Sequence, residues 1–266
     1  MDFKMKSKFN NKGQVTIFII LAIVVVAVVF LFFMLRSQGI VPDIGGGKEI
    51  NPESFLETCL KDKVREGLQM ISEQGGSINP ELNLKFKFQE EGYYKDISYL
   101  CYTESYYKPC INQNPVLINS MEDEIKDYIS QDVEFCFDDL TTTLQDQGYV
   151  VEVRKKGFNV NLIPVEIRVD IDAEITLTKT DVSSIQDDFS FRIPSRIYEL
   201  SSLAQEIVSQ EARFCNFNYI GYMVFYPEYD IDKLKTSDST IIYTLEYKGS
   251  VEKFRFAVKG CIIPII

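Results

Sequence analysis

The sequence predicts an α+β fold: an extracytoplasmic domain of antiparallel strands with about three helices, following one N-terminal transmembrane helix. Three observations carry this. Residues 15–35 read VTIFIILAIVVVAVVFLFFML, with one hydroxyl and no charge. Residues 165–178 alternate apolar and polar side chains in strict period two, the pattern of a strand with one wet face. Helical patterns and strand patterns then follow one another without regular βαβ alternation.

The apolar run comes first. At about 1.5 Å per residue it covers roughly 32 Å, which matches a hydrocarbon core of about 30 Å. It is longer than the apolar region of a cleavable secretory signal, and Ser37, Gln38 and Gly39 make a poor cleavage site. Four lysines (Lys4, Lys6, Lys8, Lys12) stand before it, and only Arg36 follows closely. That bias predicts a cytoplasmic N-terminus and an extracellular body. The expected divisions are a basic stub at 1–13, the membrane helix at 14–36, a linker at 37–50, and the outer domain at 51–266. TTTLQDQG at 141–148 reads as a joint within that domain.

Lys12-Gly13-Gln14-Val15-Thr16, leading straight into the apolar run, resembles the signal of archaeal type IV prepilins. The likeness covers about 20 residues. It implies cleavage between Gly13 and Gln14 on the cytoplasmic side, with the helix retained and able to pack into a filament core. Two features depart from the pilin pattern. Phe18 stands at the fifth mature position, where pilins often carry Glu, and GIVPDIGGG at 39–47 interrupts the helix before the head. Both favour a tethered head over polymerisation.

The outer domain opens with Asn51-Pro52-Glu53, a cap, a first-turn proline and a dipole-matched acid. Phe55, Leu56, Cys59, Leu60, Val64, Leu68 and Ile71 then fall on one helical face, and Gly75-Gly76 ends the helix. Strands are expected at 84–88 and 93–102. A second helix is expected over 117–140, with Met121, Ile125, Ile129, Val133 and Cys136 inward, and a strand at 149–154 after it. The long strand at 165–178 precedes a third helix at 195–214. Strands are expected at 219–226, 240–247 and 251–258.

Charge and composition narrow the function. The chain has 266 residues, 45% hydrophobic and 25% charged, so it can bury a core. The formal net charge is −11; residues 1–13 contribute +3, which leaves −14 for the remainder. An acidic body argues against nucleic acid as a partner. There is no His, which excludes every Ser-His or Cys-His catalytic arrangement. No phosphate-binding glycine loop or nucleophile elbow occurs, so no cofactor is expected and the chain does not read as an enzyme.

Six cysteines (Cys59, Cys101, Cys110, Cys136, Cys215, Cys261) all lie beyond the apolar run, as disulfide use in an oxidising exterior predicts. Six cysteines allow 15 pairings. Local readings favour one set. Cys59 and Cys136 sit on apolar helix faces, Cys101 and Cys110 bracket YTESYYKP, and Cys215 remains with Cys261. Buried free thiols are the alternative; metal ligation lacks its usual C-x-x-C spacing.

Two acidic groups offer calcium or paired-carboxylate chemistry: Asp170, Asp172 and Glu174 on the long strand, and Glu228, Asp230 and Asp232 after Pro227. The strand alternation itself accounts for the first group as a solvated face without a ligand, and neither matches an EF-hand loop. Tyr102, Tyr106 and Tyr107 mark the bracketed excursion as the favoured binding surface, because tyrosine gives rigid contact area with a polar tip. The expected role is structural or interactive: surface display, adhesion or envelope assembly, through self-assembly or envelope protein partners. The rival readings are a subunit of a larger membrane complex and a carboxylate-dependent enzyme acting on glycans.

Overall fold

The computed structural model describes residues 23–26, 50–89 and 91–263. Residues 23–26 are helical. The rest of the expected membrane segment lies outside the described residues, as do the basic stub, Gly13, Gln14 and residues 37–49. Among the described residues no helix is long and apolar enough to cross a membrane.

Helix α1 (Pro52–Glu73) starts as its sequence requires. The Asn51 side chain accepts from the Glu53 amide at 2.9 Å, and Pro52 fills the first turn, where no amide donor is needed. Leu56, Leu60, Val64, Leu68 and Ile71 are buried along one side. Helix α2 (Leu117–Asp146) buries Met121, Ile125, Ile129, Val133, Cys136, Leu140 and Leu144. The two helices run antiparallel: Cys59 is bonded to Cys136, Gly67 abuts Tyr128, and Gly76 abuts Leu117 and Met121. A Cβ on Gly67 would stand 2.8 Å from Tyr128 Cδ1, so glycine permits the close approach. Helix α2 extends into the expected joint at 141–148 as far as Asp146, and Ile50–Ile266 form one unit.

Strands β1 (Asn83–Phe86), β2 (Lys95–Tyr102) and β3 (Ile111–Asn112) precede α2. Strands β4 (Val150–Ile163), β5 (Glu166–Lys179) and β6 (Val182–Pro194) follow it and pair as a three-stranded antiparallel sheet. Both of its hairpins use two-residue loops. Thr180 and Asp181 both have positive φ (49° and 66°), as the type I′ loop between right-twisted strands demands. Ile167, Val169, Ile171, Ala173, Ile175 and Leu177 of β5 are buried, in the expected period of two. Strand β6 escaped the sequence reading because only its second half alternates; Phe189, Phe191 and Ile193 are buried, while residues 182–185 are exposed.

Helix α3 (Ile197–Phe214) ends at Cys215, which takes a left-handed conformation with φ 55°. Residues 219–226, expected as a strand, are corrected by the structure to helix α4 (Tyr219–Phe225). The Asn218 side chain accepts from the Gly221 amide at 3.0 Å, and Pro227 follows the helix. Tyr222 packs on Phe217 and Tyr229, so tertiary contact overrides the β-favouring composition.

Strands β7 (Tyr229–Lys235), β8 (Thr240–Tyr247) and β9 (Lys253–Lys259) complete a six-stranded sheet in the order β1-β2-β9-β8-β7, with β3 beside β2. The β2–β9 pair is parallel, which corrects the expectation of antiparallel strands throughout. A parallel pair needs a long crossover, and the chain between β2 and β9 supplies one that contains three helices and the second sheet. Helices α1 and α3 each touch both sheets, so the helices form a middle layer. One core cluster joins all three layers; a smaller one (Ile97, Tyr99, Ile242, Ala257) lies apart from it, with Leu84, Phe86 and Phe88 packed against it.

The remaining disulfides join Cys101 to Cys110 and Cys215 to Cys261, the same set the local sequence readings favour. No free cysteine remains among the described residues. Converting both Cys59 and Cys136 to Ala removes a bridge spanning 77 residues and should cost about 2–4 kcal/mol, read by urea unfolding without reductant. An unchanged midpoint would show that helix packing alone sets the α1–α2 pairing.

The β7–β8 loop is organised by Asp238. Its carboxylate accepts from Thr240 Oγ1 at 3.0 Å, Lys259 Nζ at 3.2 Å and Thr236 Oγ1 at 2.5 Å. Partial burial pushes this carboxyl upward, but the donors from Thr236, Lys259 and Thr240 outweigh it and hold it at about 2, below the ordinary 3.8. The folded state therefore binds this proton less readily than the unfolded chain. The stabilisation is complete above pH 3.8 and is lost as the pH falls through about 2. Asp238→Asn should flatten that part of the acid limb in melting temperature against pH; an unaltered limb would count against the assignment.

Candidate binding surfaces

The acidic stripe on β5 is occupied by cations and an amide. Asp170 accepts from Arg168 Nε and Asn161 Nδ2, each at 2.9 Å. Asp172 pairs with Lys156 at 3.0 Å, and Glu174 with Arg154 at 3.5 Å. Glu228, Asp230 and Asp232 do not converge either: among the described residues no group of three acidic or thiol side chains is placed to hold a metal.

The tyrosine excursion is a rigid loop. Cys101–Cys110 closes it, and residues 261–262 are strapped along it. Tyr107 N donates to Ile262 O at 3.0 Å, and Cys261 N donates to Lys108 O at 2.7 Å. A Cβ on Gly260 would lie 2.9 Å from both the backbone nitrogen and Cβ of Cys110, so glycine lets the two disulfide-bearing segments approach closely. Tyr106 and Tyr107 are 59% and 70% exposed. Tyr102 is half-buried against Tyr99, and its hydroxyl donates to Glu104 at 2.7 Å. That bond, reinforced by burial, pushes the Tyr102 hydroxyl up to about 12. Tyr106 and Tyr107 are thus free for contact, whereas Tyr102 supports the loop.

One broad concavity was not read from the sequence. It is a cleft of about 1400 Å³ bordered by the end of α1, residues 86–89 and 91, the β8–β9 hairpin and the start of α3. Asp232, Thr244 and Arg255 lie in register across β7, β8 and β9, and all three line it. Next to this row sits a buried charge cluster. Lys95 pairs with Glu73, and with Glu91 at 3.4 Å; Arg255 Nη1 donates to Glu91 Oε1 at 2.6 Å. The Arg255 guanidinium rests 4.0 Å from the Phe88 ring centre. Burial, and secondarily Arg255, pulls the Lys95 ammonium down to about 8. The two carboxylates pull the other way, and on either balance Lys95 is charged at neutral pH. Arg255 Nε is buried without a hydrogen-bond partner among the described residues, whereas Glu91 Oε2 has only the Lys95 ammonium, at 3.4 Å. A buried donor costs about 1–3 kcal/mol while unmet. The signal in the sequence was the phase of Lys95, which shares a strand face with Ile97 and Tyr99, where an apolar residue would otherwise stand.

On the opposite rim, Glu252 accepts from Ser195 Oγ at 2.6 Å and from the Arg196 amide at 2.5 Å, just before α3 begins. A carboxylate there complements the positive end of the helix dipole. Arg196 pairs with Glu199 at 3.0 Å and lies 4.5 Å over the Tyr247 ring. Glu199 also accepts from the Val165 amide at 3.1 Å. Val165 follows Pro164 in the β4–β5 loop and has φ 66°, a conformation that β-branched residues avoid. The loop is thereby held against the rim at a cost in backbone strain. Comparison with family models, with curated proteins and with solved structures finds no match for this chain.

Val165→Gly should relieve that strain and raise stability by about 1 kcal/mol, since glycine accepts positive φ without a steric penalty. Thermal unfolding checks this; a lower midpoint would mean that the Val165 side chain contributes more packing than its backbone costs.

Proposed function

We propose that the chain is a single-pass membrane protein whose outer domain acts by contact at the cell surface, in display, adhesion or envelope assembly. The observation that carries this is the pairing of two features on one chain. An uncharged apolar run of membrane length stands at 15–35, and all six cysteines beyond it are joined in three disulfides. Disulfides persist in oxidising compartments, so the bridged part belongs outside. The prepilin-like signal supports cleavage between Gly13 and Gln14, leaving the helix as the anchor. Tyr106 and Tyr107, on a loop stapled at both ends, offer contact area without a large loss of loop entropy on binding.

A second reading, a subunit of a larger envelope complex, draws on α4. Ile220, Val224 and Phe225 are exposed on it, and apolar side chains grouped in this way mark interfaces.

N-terminal sequencing and intact mass of protein taken from native membranes without reductant test the main reading. A start at Gln14, with a mass about 6 Da below the reduced value (two hydrogens per bridge), is the expected result. A start at Met1 removes the prepilin-type processing. An absent mass deficit removes the argument for an oxidising exterior.

A further inference from the structure

The three disulfides differ in exposure and in backbone conformation. Cys101, Cys110 and Cys136 are buried and Cys59 is half-buried, whereas Cys215 is exposed and its partner Cys261 half-buried. Cys215 and Cys261 are also the two half-cystines held at positive φ, 55° and 51°. A residue with a Cβ rarely adopts that conformation, so both ends of this one bridge carry a backbone cost. We propose that Cys215–Cys261 is a redox-sensitive latch: a dithiol reductant opens it before the other two bridges, and its opening frees residues 261–262 from the tyrosine loop.

Access sets the order. Disulfide exchange begins with a thiolate attacking one sulfur, so an exposed half-cystine is reached ahead of buried ones. Cys215 and Cys261 both line a cavity of about 270 Å³. Lys235 stands on its wall, and an ammonium there favours an incoming thiolate. Glu211, the carboxylate on that wall, is already paired with Lys233 at 3.2 Å and accepts from the Tyr243 hydroxyl. The reductant's thiolate bonds to Cys215 Sγ as the S–S bond breaks, and the electron pair leaves with Cys261, which takes up a proton. The reductant's second thiol gives up its proton, attacks the mixed disulfide and releases Cys215 as a thiol. The reductant departs as its own disulfide, so two electrons and two protons pass to the protein.

The consequence falls on the neighbouring loop. With the bridge open, residues 261–262 are held there by the bond from Cys261 N to Lys108 O at 2.7 Å and the bond from Tyr107 N to Ile262 O at 3.0 Å. Surface backbone bonds of this kind exchange readily with water, and both half-cystines are free to leave the left-handed region. The loop keeps its Cys101–Cys110 closure but loses its outer support. Tyr106 and Tyr107 then gain freedom that any partner must remove on binding.

The latch rests on the contact function above only for its effect on a partner. Its test reads thiols and amide exchange on purified protein, so it fails or succeeds independently of that function and of cellular location. Full-length chain in detergent is treated with increasing dithiothreitol, trapped with acid and alkylated with N-ethylmaleimide, and the labelled cysteines are mapped by peptide mass. Cys215 and Cys261 should be labelled together, about tenfold faster than the other four. In protein reduced at that bridge alone, the Tyr107 amide and its neighbours within 103–109 should lose protection from hydrogen exchange while α1 and α2 stay protected. The double variant Cys215→Ser, Cys261→Ser should show the same exchange pattern without reductant. Should that variant fail to fold, the singly reduced wild-type protein supplies the same readout. Labelling of either other pair first, labelling of all six in one step, or protection at Tyr107 unmoved by reduction would each overturn the proposal.

Discussion

Antiparallel packing of α1 against α2 is the constraint on which the other layers depend. The two helices meet along nearly the whole of α1, from the Cys59–Cys136 bridge, past Gly67 against Tyr128, to Gly76 against Leu117 and Met121. Neither sheet has a partner sheet of its own. Each buries a face by laying it on helices, and α1 and α3 reach both sheets. If the helical layer is lost, two amphipathic sheets are left with wet apolar faces, which no hydrogen-bond ladder offsets. The longest bridge of the three spans that layer, where closing a long loop removes the most entropy from the unfolded chain.

The other two bridges act locally. Cys101–Cys110 and Cys215–Cys261 lie at one edge of the structure, where Gly260 presses on Cys110 and residues 261–262 run beside the tyrosine loop. Together they make a surface loop rigid without adding much core. A stapled loop with two exposed tyrosines is preorganised for contact, and its rigidity comes from covalent closure and a few backbone hydrogen bonds.

The cleft combines features that stability alone does not favour. Four charges are gathered beside β9, one guanidinium nitrogen is left without a hydrogen-bond partner among the described residues, and a β-branched residue is held at positive φ on the rim. Ion pairs of this kind return little net stability after desolvation. Such costs concentrate where a site is kept ready for a partner. The β8–β9 hairpin, tied through Glu252 to the start of α3, holds the rim in place while Arg255 is held by Glu91 and Phe88.

Much of the chain's organisation was legible in its residues. Asn51-Pro52 and Gly75-Gly76 bracket α1, the strict alternation along β5 marks its buried face, and helix faces with loop bracketing favour two of the disulfide pairs and leave Cys215 with Cys261. These are local signals, because a cap, a period of two and a short excursion each involve neighbours in sequence. The sequence by itself also determined the class, α+β, and the division of charge between a basic start and an acidic body. Only tertiary structure decided that residues 219–225 coil rather than extend, that β2 and β9 run parallel, and that Lys95, Glu73, Glu91 and Arg255 meet in one cleft. Those outcomes rest on contacts between separate elements, such as Tyr222 of α4 on Tyr229 of β7, and Glu91 on Arg255, 164 positions away. Local propensity carries no information about such partners, and the burial that selects among them exists only once the layers have assembled.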